Sequence, residues 1–149
     1  MAVAFNKISY GLIENGLRKL LDDEFDNVYV SNVFKQLGNE SIRINLLSSN
    51  NIETHAFYER REYIVNLKYY FVADMSKPYI NEGVKNKIDR LKRHLINNQN
   101  VESTTAKWAE LTIENIEYDV KDDDNEDNPE LYIAEFNLSL INHNPFGDE

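Results

Sequence analysis

The chain has 149 residues, of which 42% are hydrophobic and 11% aromatic, so it is long and apolar enough for one domain with its own core. Sixteen Lys and Arg residues stand against 26 Asp and Glu, giving a formal net charge of −10 at pH 7. This balance disfavours a general nucleic-acid-binding or membrane-binding surface, because both need concentrated cationic side chains. The absence of Cys excludes disulfides, Cys–Zn sites and thiol nucleophiles.

The first residues carry no basic segment leading into an apolar stretch, so we expect no signal peptide. No uninterrupted apolar run approaches the ~20 residues that a membrane-spanning helix needs. Residues 6–23 instead predict an amphipathic helix, because their apolar residues recur on one stripe (Ile8, Leu12, Ile13, Leu17, Leu20 and Leu21). Gly11 and Gly16 weaken this helix by roughly 1 kcal/mol each relative to Ala.

Three strands are predicted next, over residues 27–31, 41–47 and 58–72, with the polar residues 48–51 as a loop. The third strand alternates most regularly, with one apolar face (Tyr63, Val65, Leu67, Tyr69 and Phe71). At a rise of ~3.3 Å per residue it would be about 45 to 50 Å long. We therefore expect it to extend beyond the core and to form a long hairpin arm with 41–47.

A second amphipathic helix is predicted over 79–96, with Ser76 as its N-cap and Pro78 in its first turn. Its outward face is basic (Lys85, Lys87, Arg90, Lys92 and Arg93). Residues 108–120 then predict a strand whose alternation changes phase near Glu114 and Asn115, as a β-bulge would cause. Residues 130–140 predict the last strand.

Residues 121–130 contain six acidic residues and one basic residue, which is typical of a solvated hairpin loop. Residues 142–149 predict a loose C-terminal tail. The element order is therefore helix, three strands, helix and two strands, in a single domain over 1–149. This order predicts an α+β fold, with an antiparallel-rich sheet containing a long hairpin and two helices on one of its faces.

Few residues suggest a catalytic or metal-binding site. His55, His94 and His143 do not stand at the spacings of a helical metal pair. Asp119 and Lys121 fit the (D/E)-x-K pattern of metal-dependent nucleases, with Glu110 as a conceivable second carboxylate. That pattern is short enough to arise by chance in most proteins, so we expect no enzyme, no metal and no cofactor, and keep a small nuclease as an alternative hypothesis.

Charged residues are better candidates for protein contacts. The block from Glu59 to Glu62 could hold an anion or form a cross-strand ion-pair set. We predict an oligomer interface on the third strand (Arg60, Arg61, Tyr63, Val65, Leu67 and Tyr69). The acidic loop supplies a second candidate, a charged contact or a channel-lining loop (Asp122, Asp123, Asp124, Glu126 and Asp127). These carboxylates do not make a calcium loop, because the Gly and the final Glu of that motif are missing.

The pattern of elements resembles the tail terminator, or tail completion, family of long-tailed bacteriophages. The resemblance covers residues 5–141 and rests on the first helix, the stretch Arg-Glu-Tyr-Ile-Val-Asn-Leu-Lys-Tyr-Tyr-Phe at 61–71, the second helix, and Glu-Phe-Asn-Leu-Ser-Leu at 135–140. It implies a ring, typically a hexamer, that caps the tail tube, ends its polymerisation and offers the head a docking surface. A head–tail connector or stopper ring of the neck is the alternative within the same group of phage proteins.

The resemblance also implies the partners: further copies of this chain, the tail tube protein and a head-side neck or connector protein, but no membrane. The expected location is the virion tail or neck, and the host cytoplasm during assembly. DNA would cross the ring without specific binding, since negative walls repel phosphate. A ring requires a contact between two different patches, and we expect strand 58–72 to donate an edge for such a contact.

Overall fold

The computed structural model describes residues 8–25, 27–30, 41–72, 80–121 and 131–145. The chain has an α+β fold, in which a mixed six-stranded sheet is curled into a half-barrel and accompanied by two helices. In chain order the elements are a π-helical segment (Ile8–Glu14), α1 (Asn15–Asp22), β1 (Asn27–Val30), β2 (Ser41–Thr54), β3 (Tyr58–Val72), α2 (Ile80–Ile96), β4 (Val101–Glu102), β5 (Lys107–Lys121) and β6 (Leu131–Pro145).

The strands are arranged in the order β1-β2-β3-β6-β5-β4. The four long strands β2, β3, β6 and β5 alternate in direction, because each of the three pairs between them is antiparallel. The two short strands lie at the margins, β1 parallel to the start of β2 and β4 antiparallel to the start of β5. The short strand β4 was absent from the predicted order, since its two residues are too few to show a period.

The position of β3 corrects one expectation. The strand has the predicted bounds, Tyr58–Val72, but it lies between β2 and β6 and is paired with both along its length. Its backbone groups are therefore used within the monomer, so β3 has no edge to donate to a neighbour. The alternating sequence of β3 is typical of either a central or an edge strand and could not distinguish the two.

One face of the sheet, here called the core face, packs against both helices. Its strand residues are buried together with one stripe of each helix (Ile13, Leu17 and Leu21 from the first, Ile88, Leu91 and Leu95 from the second). Both stripes follow the spacing of about 3.6 residues that the sequence analysis used. Since these six side chains are fully buried, the two helices and the sheet share a single core.

The helices also contact each other and the strands directly. His94 Nε2 lies 3.0 Å from the carbonyl oxygen of Leu20, and Arg90 forms an ion pair with Glu24 at 2.8 Å. The indole nitrogen of Trp108 on β5 donates a hydrogen bond of 2.9 Å to the carbonyl of Asn98, just after α2. These bonds join the ends of α1, α2 and β5. No helix in the described ranges is long and apolar enough to cross a membrane.

Several predicted boundaries are different in the structure. The helix predicted from residue 6 begins, within the described residues, with π-helical turns around Gly11, whose α-helical propensity is low. Residues 48–51, predicted as a loop, continue β2, because β3 supplies backbone partners beyond the core. Residues 142–145, predicted as loose tail, continue β6 beside β3. Ser76, Pro78, the connection 122–130 and residues 146–149 lie outside the described residues.

Candidate assembly interface

The side chains predicted as an interface on β3 divide into two groups. Tyr63, Val65, Leu67 and Tyr69 are at most 3% exposed and belong to the core. A second protein could not reach them without unfolding the sheet. Arg60 and Arg61, nearer the outer end of the strand, are partly exposed, and both are engaged by carboxylates of the same chain.

Arg61 is held by Glu59 on the core face beyond the core. Its Nε and Nη2 donate to Glu59 Oε1 and Oε2 at 3.0 and 3.2 Å, a bidentate pair, and its Nη1 donates to Ser49 Oγ on β2 at 3.2 Å. From β6, the buried Asn144 amide donates to both Glu59 Oε1 and the hydroxyl of Tyr63 at 3.0 Å. Hydrogen bonds from Arg61 and Asn144 lower the pKa of Glu59, and Glu59 raises that of Arg61.

Arg60 points to the opposite face of the sheet and reaches over β6 to β5. Its Nη2 lies 2.7 Å from Glu110 Oε2. Glu110 has a φ of +52°, in the left-handed region that L-residues rarely adopt, and it lies in an irregular part of β5 between Ala109 and Thr112. Within one monomer the block from Glu59 to Glu62 therefore forms one ion pair along β3, Arg61–Glu59, and one to another strand, Arg60–Glu110. Only the second is of the cross-strand kind that the sequence suggested.

The outer parts of β2 and β3 form an exposed arm, defined here as residues 47–62. All residues from 47 to 57 are exposed, and Phe57 in the connecting turn is 82% exposed. At the base of the turn, Tyr58 stacks between two imidazoles, with ring centroids 4.5 Å from His55 and 5.7 Å from His143. These stacked rings tie the turn to β6 and give it a defined position.

The free edge of the arm lies on β2. The partner strand β1 covers only Ser41–Ile44, and no described strand covers the outer edge of β2 from Asn45 to Thr54. Two register shifts interrupt this stretch, one between Leu46 and Ser48 and one between Asn51 and Glu53. The residues without a partner on β3 are Leu47 and Ile52, and both are exposed apolar side chains. We call this stretch the β2 edge.

A second free edge lies at the other side of the sheet. The start of β5 is covered by β4, and Glu110 and Leu111 donate their backbone N–H groups to Asn100 and Gln99. From Thr112 to Lys121 no described strand lies outside β5. We call this stretch the β5 edge. Neither edge was predicted from the sequence, because the alternation of a strand does not tell which strands lie beside it.

An open groove of about 420 Å³ lies beside the β5 edge, between this strand and the C-terminal part of α2. The groove at the helix is lined mainly by apolar side chains, among them Ile96, Leu111, Ile113, Ile116 and Tyr118. Ile96 and Tyr118 are 40% and 42% exposed. Large apolar groups so exposed next to a free strand edge are typical of a surface that another protein covers.

The face of the sheet opposite the core carries a row of asparagines. Asn45, Asn66, Asn137 and Asn115 lie side by side on β2, β3, β6 and β5. Their neighbours along this face include the ion pair Lys68–Glu135 at 3.8 Å and the hydrogen bond from Ser139 Oγ to Glu62 at 3.0 Å. In the next row Arg43 and Lys68 lie beside Glu135 and Glu117, and farther along the face Tyr70 and Ile133 form a small apolar cluster with Tyr29. This face is therefore polar in its middle rows, and its charges are of both signs.

The nuclease hypothesis loses its second carboxylate. Glu110 and Asp119 lie on one strand, and the β6 residues paired with this stretch place them about 20 Å apart or more, too far to share an ion. The side chains of Asp119 and Lys121 are not among those described, and neither is the acidic loop with Asp122, Asp123, Asp124, Glu126 and Asp127. Within the described ranges, no group of three or more His, Cys, Asp or Glu is placed to hold a metal ion.

Comparison of the chain with protein-family models gives no match, and comparison with curated proteins gives no significant one. The two edges, the groove and the polar face are therefore the features of the chain that bear on its function.

Proposed function

We propose that this protein is a structural component of a phage virion, and that its copies form a closed ring on the end of the tail tube. In this role the ring ends tube polymerisation and offers the interface for head attachment, while DNA crosses its lumen. The observation that supports the ring is the pair of unlike free edges, on β2 and on β5, at opposite sides of one sheet. A contact between two different patches of the same molecule is what cyclic assembly requires.

The direction of the strands favours closure further. Since β2, β3, β6 and β5 alternate in direction, the β2 of a second copy in the same orientation would run antiparallel to the β5 of the first. A ring could therefore continue the alternation through every copy, with four long strands from each. The resemblance to tail terminators implies six copies.

The polar face supports the passage of DNA. In a ring whose helices lie outside, the face with Asn45, Asn66, Asn137 and Asn115 is turned to the lumen. The amides are neutral, Lys68 and Arg60 on the same face are paired with Glu135 and Glu110, and the chain has a net charge of −10. The duplex would therefore meet no strongly basic surface and could slide without being held. The same reasoning applies to a connector or stopper ring in the neck, which remains the alternative.

Electron microscopy of tail tubes tests the proposal. Purified protein is mixed with tubes of the phage that encodes it, and tube ends are scored in negative stain. We expect a cap at one end of each tube and no further elongation when tube subunits are added. Caps on neither end, with tubes that still elongate, would contradict the terminator function, and binding to the head-side connector alone would favour the neck ring.

A further inference from the structure

We infer that Leu47 on the β2 edge inserts into the groove between α2 and β5 of a second copy, so that each copy uses both surfaces. This inference rests on the proposed ring and specifies its contact. The occupant is a second copy, because the chain itself carries both halves of the contact: an edge with exposed apolar bulge residues and a groove with exposed apolar walls.

The position of Leu47 follows from the sheet register. Ser48 is aligned through Ile64 and Ser139 with Thr112, and Asn45 through Asn66 and Asn137 with Asn115. Suppose that the sheet continues into a second copy without any shift along the strands. Residues 45–48 on the β2 edge of one copy then lie opposite residues 112–115 on the β5 edge of the other. Leu47 lies within these rows, and the same four β5 residues include three that line the groove, Thr112, Ile113 and Asn115.

The two short strands explain why the contact is limited in length. β1 covers one end of β2, and β4 covers the opposite end of β5. The contact is therefore confined to the rows 45–48 of one copy and 112–115 of the other, which include the exposed apolar side chain of Leu47.

Backbone pairing and side-chain insertion support each other here. Pairing along the edge gives affinity, and the pocket gives specificity for one register. The bulges have two effects. They interrupt the regular edge, which discourages unspecific strand addition, and they expose the side chains of Leu47 and Ile52. In this arrangement the two apolar surfaces that are exposed in the monomer become buried in the assembly.

Cross-linking tests the contact directly, because the natural chain contains no Cys. Leu47→Cys and Thr112→Cys proteins are mixed and treated with a short bismaleimide, with and without tail tubes. We expect a covalent dimer in the mixture and none in either protein alone. The matched control replaces Leu47→Cys with Phe57→Cys, which is more exposed but lies in the turn outside the contact. Equal yields from the control mixture, no dimer in either condition, or a dimer from Leu47→Cys alone would overturn the inference.

Sedimentation velocity over a range of concentrations gives a second readout. Leu47→Asp and Ile96→Lys change exposed residues on the two sides of the contact, so both proteins should keep their fold. We expect each to weaken self-association at least about tenfold, while Phe57→Asp leaves it unchanged. Equal association by Leu47→Asp and Phe57→Asp would overturn the contact. Tube capping by all of these variants would show that the proposed function holds although this contact does not.

Discussion

Asn66 on β3 donates a side-chain hydrogen bond of 3.0 Å to Asn137 Oδ1 on β6, and Asn137 donates in turn to Asn115 on β5 at 2.7 Å. The chain of amides crosses three strands on the face opposite the core. Side chains that bond directly across paired strands favour one register, because a slip of one residue would turn them to the other face. The asparagines therefore help to fix the alignment on which the two free edges depend.

Removing this bond should cost a measurable part of the stability. We expect Asn66→Ala to lower the free energy of unfolding by about 1 kcal/mol, because the partly buried Oδ1 of Asn137 loses its donor. The double variant with Asn137→Ala should show a coupling energy of at least about 0.5 kcal/mol in a double-mutant cycle from urea unfolding. Asn50→Ala, on the exposed arm, serves as the control and should change stability little. Strictly additive effects would contradict the role of the bond.

The pair Glu59–Arg61 should make stability depend on pH. The pKa of Glu59 is lower in the folded protein than in the unfolded chain, so the unfolded state binds more protons in this range. Its contribution is therefore present above the unfolded pKa of about 4.3 and is lost as the pH falls through the folded value. We expect Glu59→Gln to cost about 1 kcal/mol at neutral pH.

The difference between Glu59→Gln and the natural protein should shrink below about pH 4, in urea unfolding followed by the fluorescence of the buried Trp108. Arg60→Gln is a suitable comparison, since it breaks the neighbouring Glu110 pair without touching Glu59. A difference that grows toward acid would contradict the assignment.

Glu110 offers a test of backbone strain. A left-handed φ costs an L-residue roughly 1 to 2 kcal/mol, and glycine avoids this cost. Both Glu110→Ala and Glu110→Gly lose the ion pair with Arg60, so their difference reports the relief of backbone strain less the conformational entropy that Gly adds to the unfolded chain. We expect Glu110→Gly to be more stable than Glu110→Ala by about 1 kcal/mol in thermal and urea unfolding. Equal stability would mean that the residue does not hold this conformation in solution.

The helix α1 approaches the segment before β5 through Gly16. A Cβ built on Gly16 would lie 2.9 Å from the Cβ and 3.0 Å from the Cα of Ala106, so the backbone has to move. We expect Gly16→Ala to destabilise the protein by about 1 to 3 kcal/mol, although Ala is the better helix former. Combining it with Ala106→Gly should lose less than the sum of the two changes, measured by chemical unfolding. A stabilised Gly16→Ala protein would contradict the close contact.

The features predicted best from the sequence are those marked by a regular spacing of apolar residues. The helical stripe ending in Leu91 and Leu95 and the alternation of β3 both follow from burial of one face, and the bounds of β3 agree with the structure. The phase change at Glu114 also corresponds to a register shift in β5. The order of the strands could not be predicted in this way. Alternating apolar residues tell which face of a strand is buried, but not which other strands it pairs with.

The candidate site shows the same limit. Arg61 is paired with Glu59 of the same block, which the sequence shows, but the partner of Arg60 is Glu110 on β5, 50 residues away, which no local pattern encodes. The outer part of β2 was not expected, because the polar residues Ser48 to Asn51 have the composition of a loop although they continue the strand. The groove beside β5 depends on how α2 crosses that strand, which only tertiary packing decides.

The even number of long strands determines how neighbouring copies would be oriented in an assembly. With four strands of alternating direction, the two margins of the sheet run oppositely, so copies joined margin to margin all point the same way along the common axis. An odd number would force every second copy upside down or require a parallel seam. An assembly of this kind has two different faces, one at each end of its axis. Each face can therefore bind a different protein.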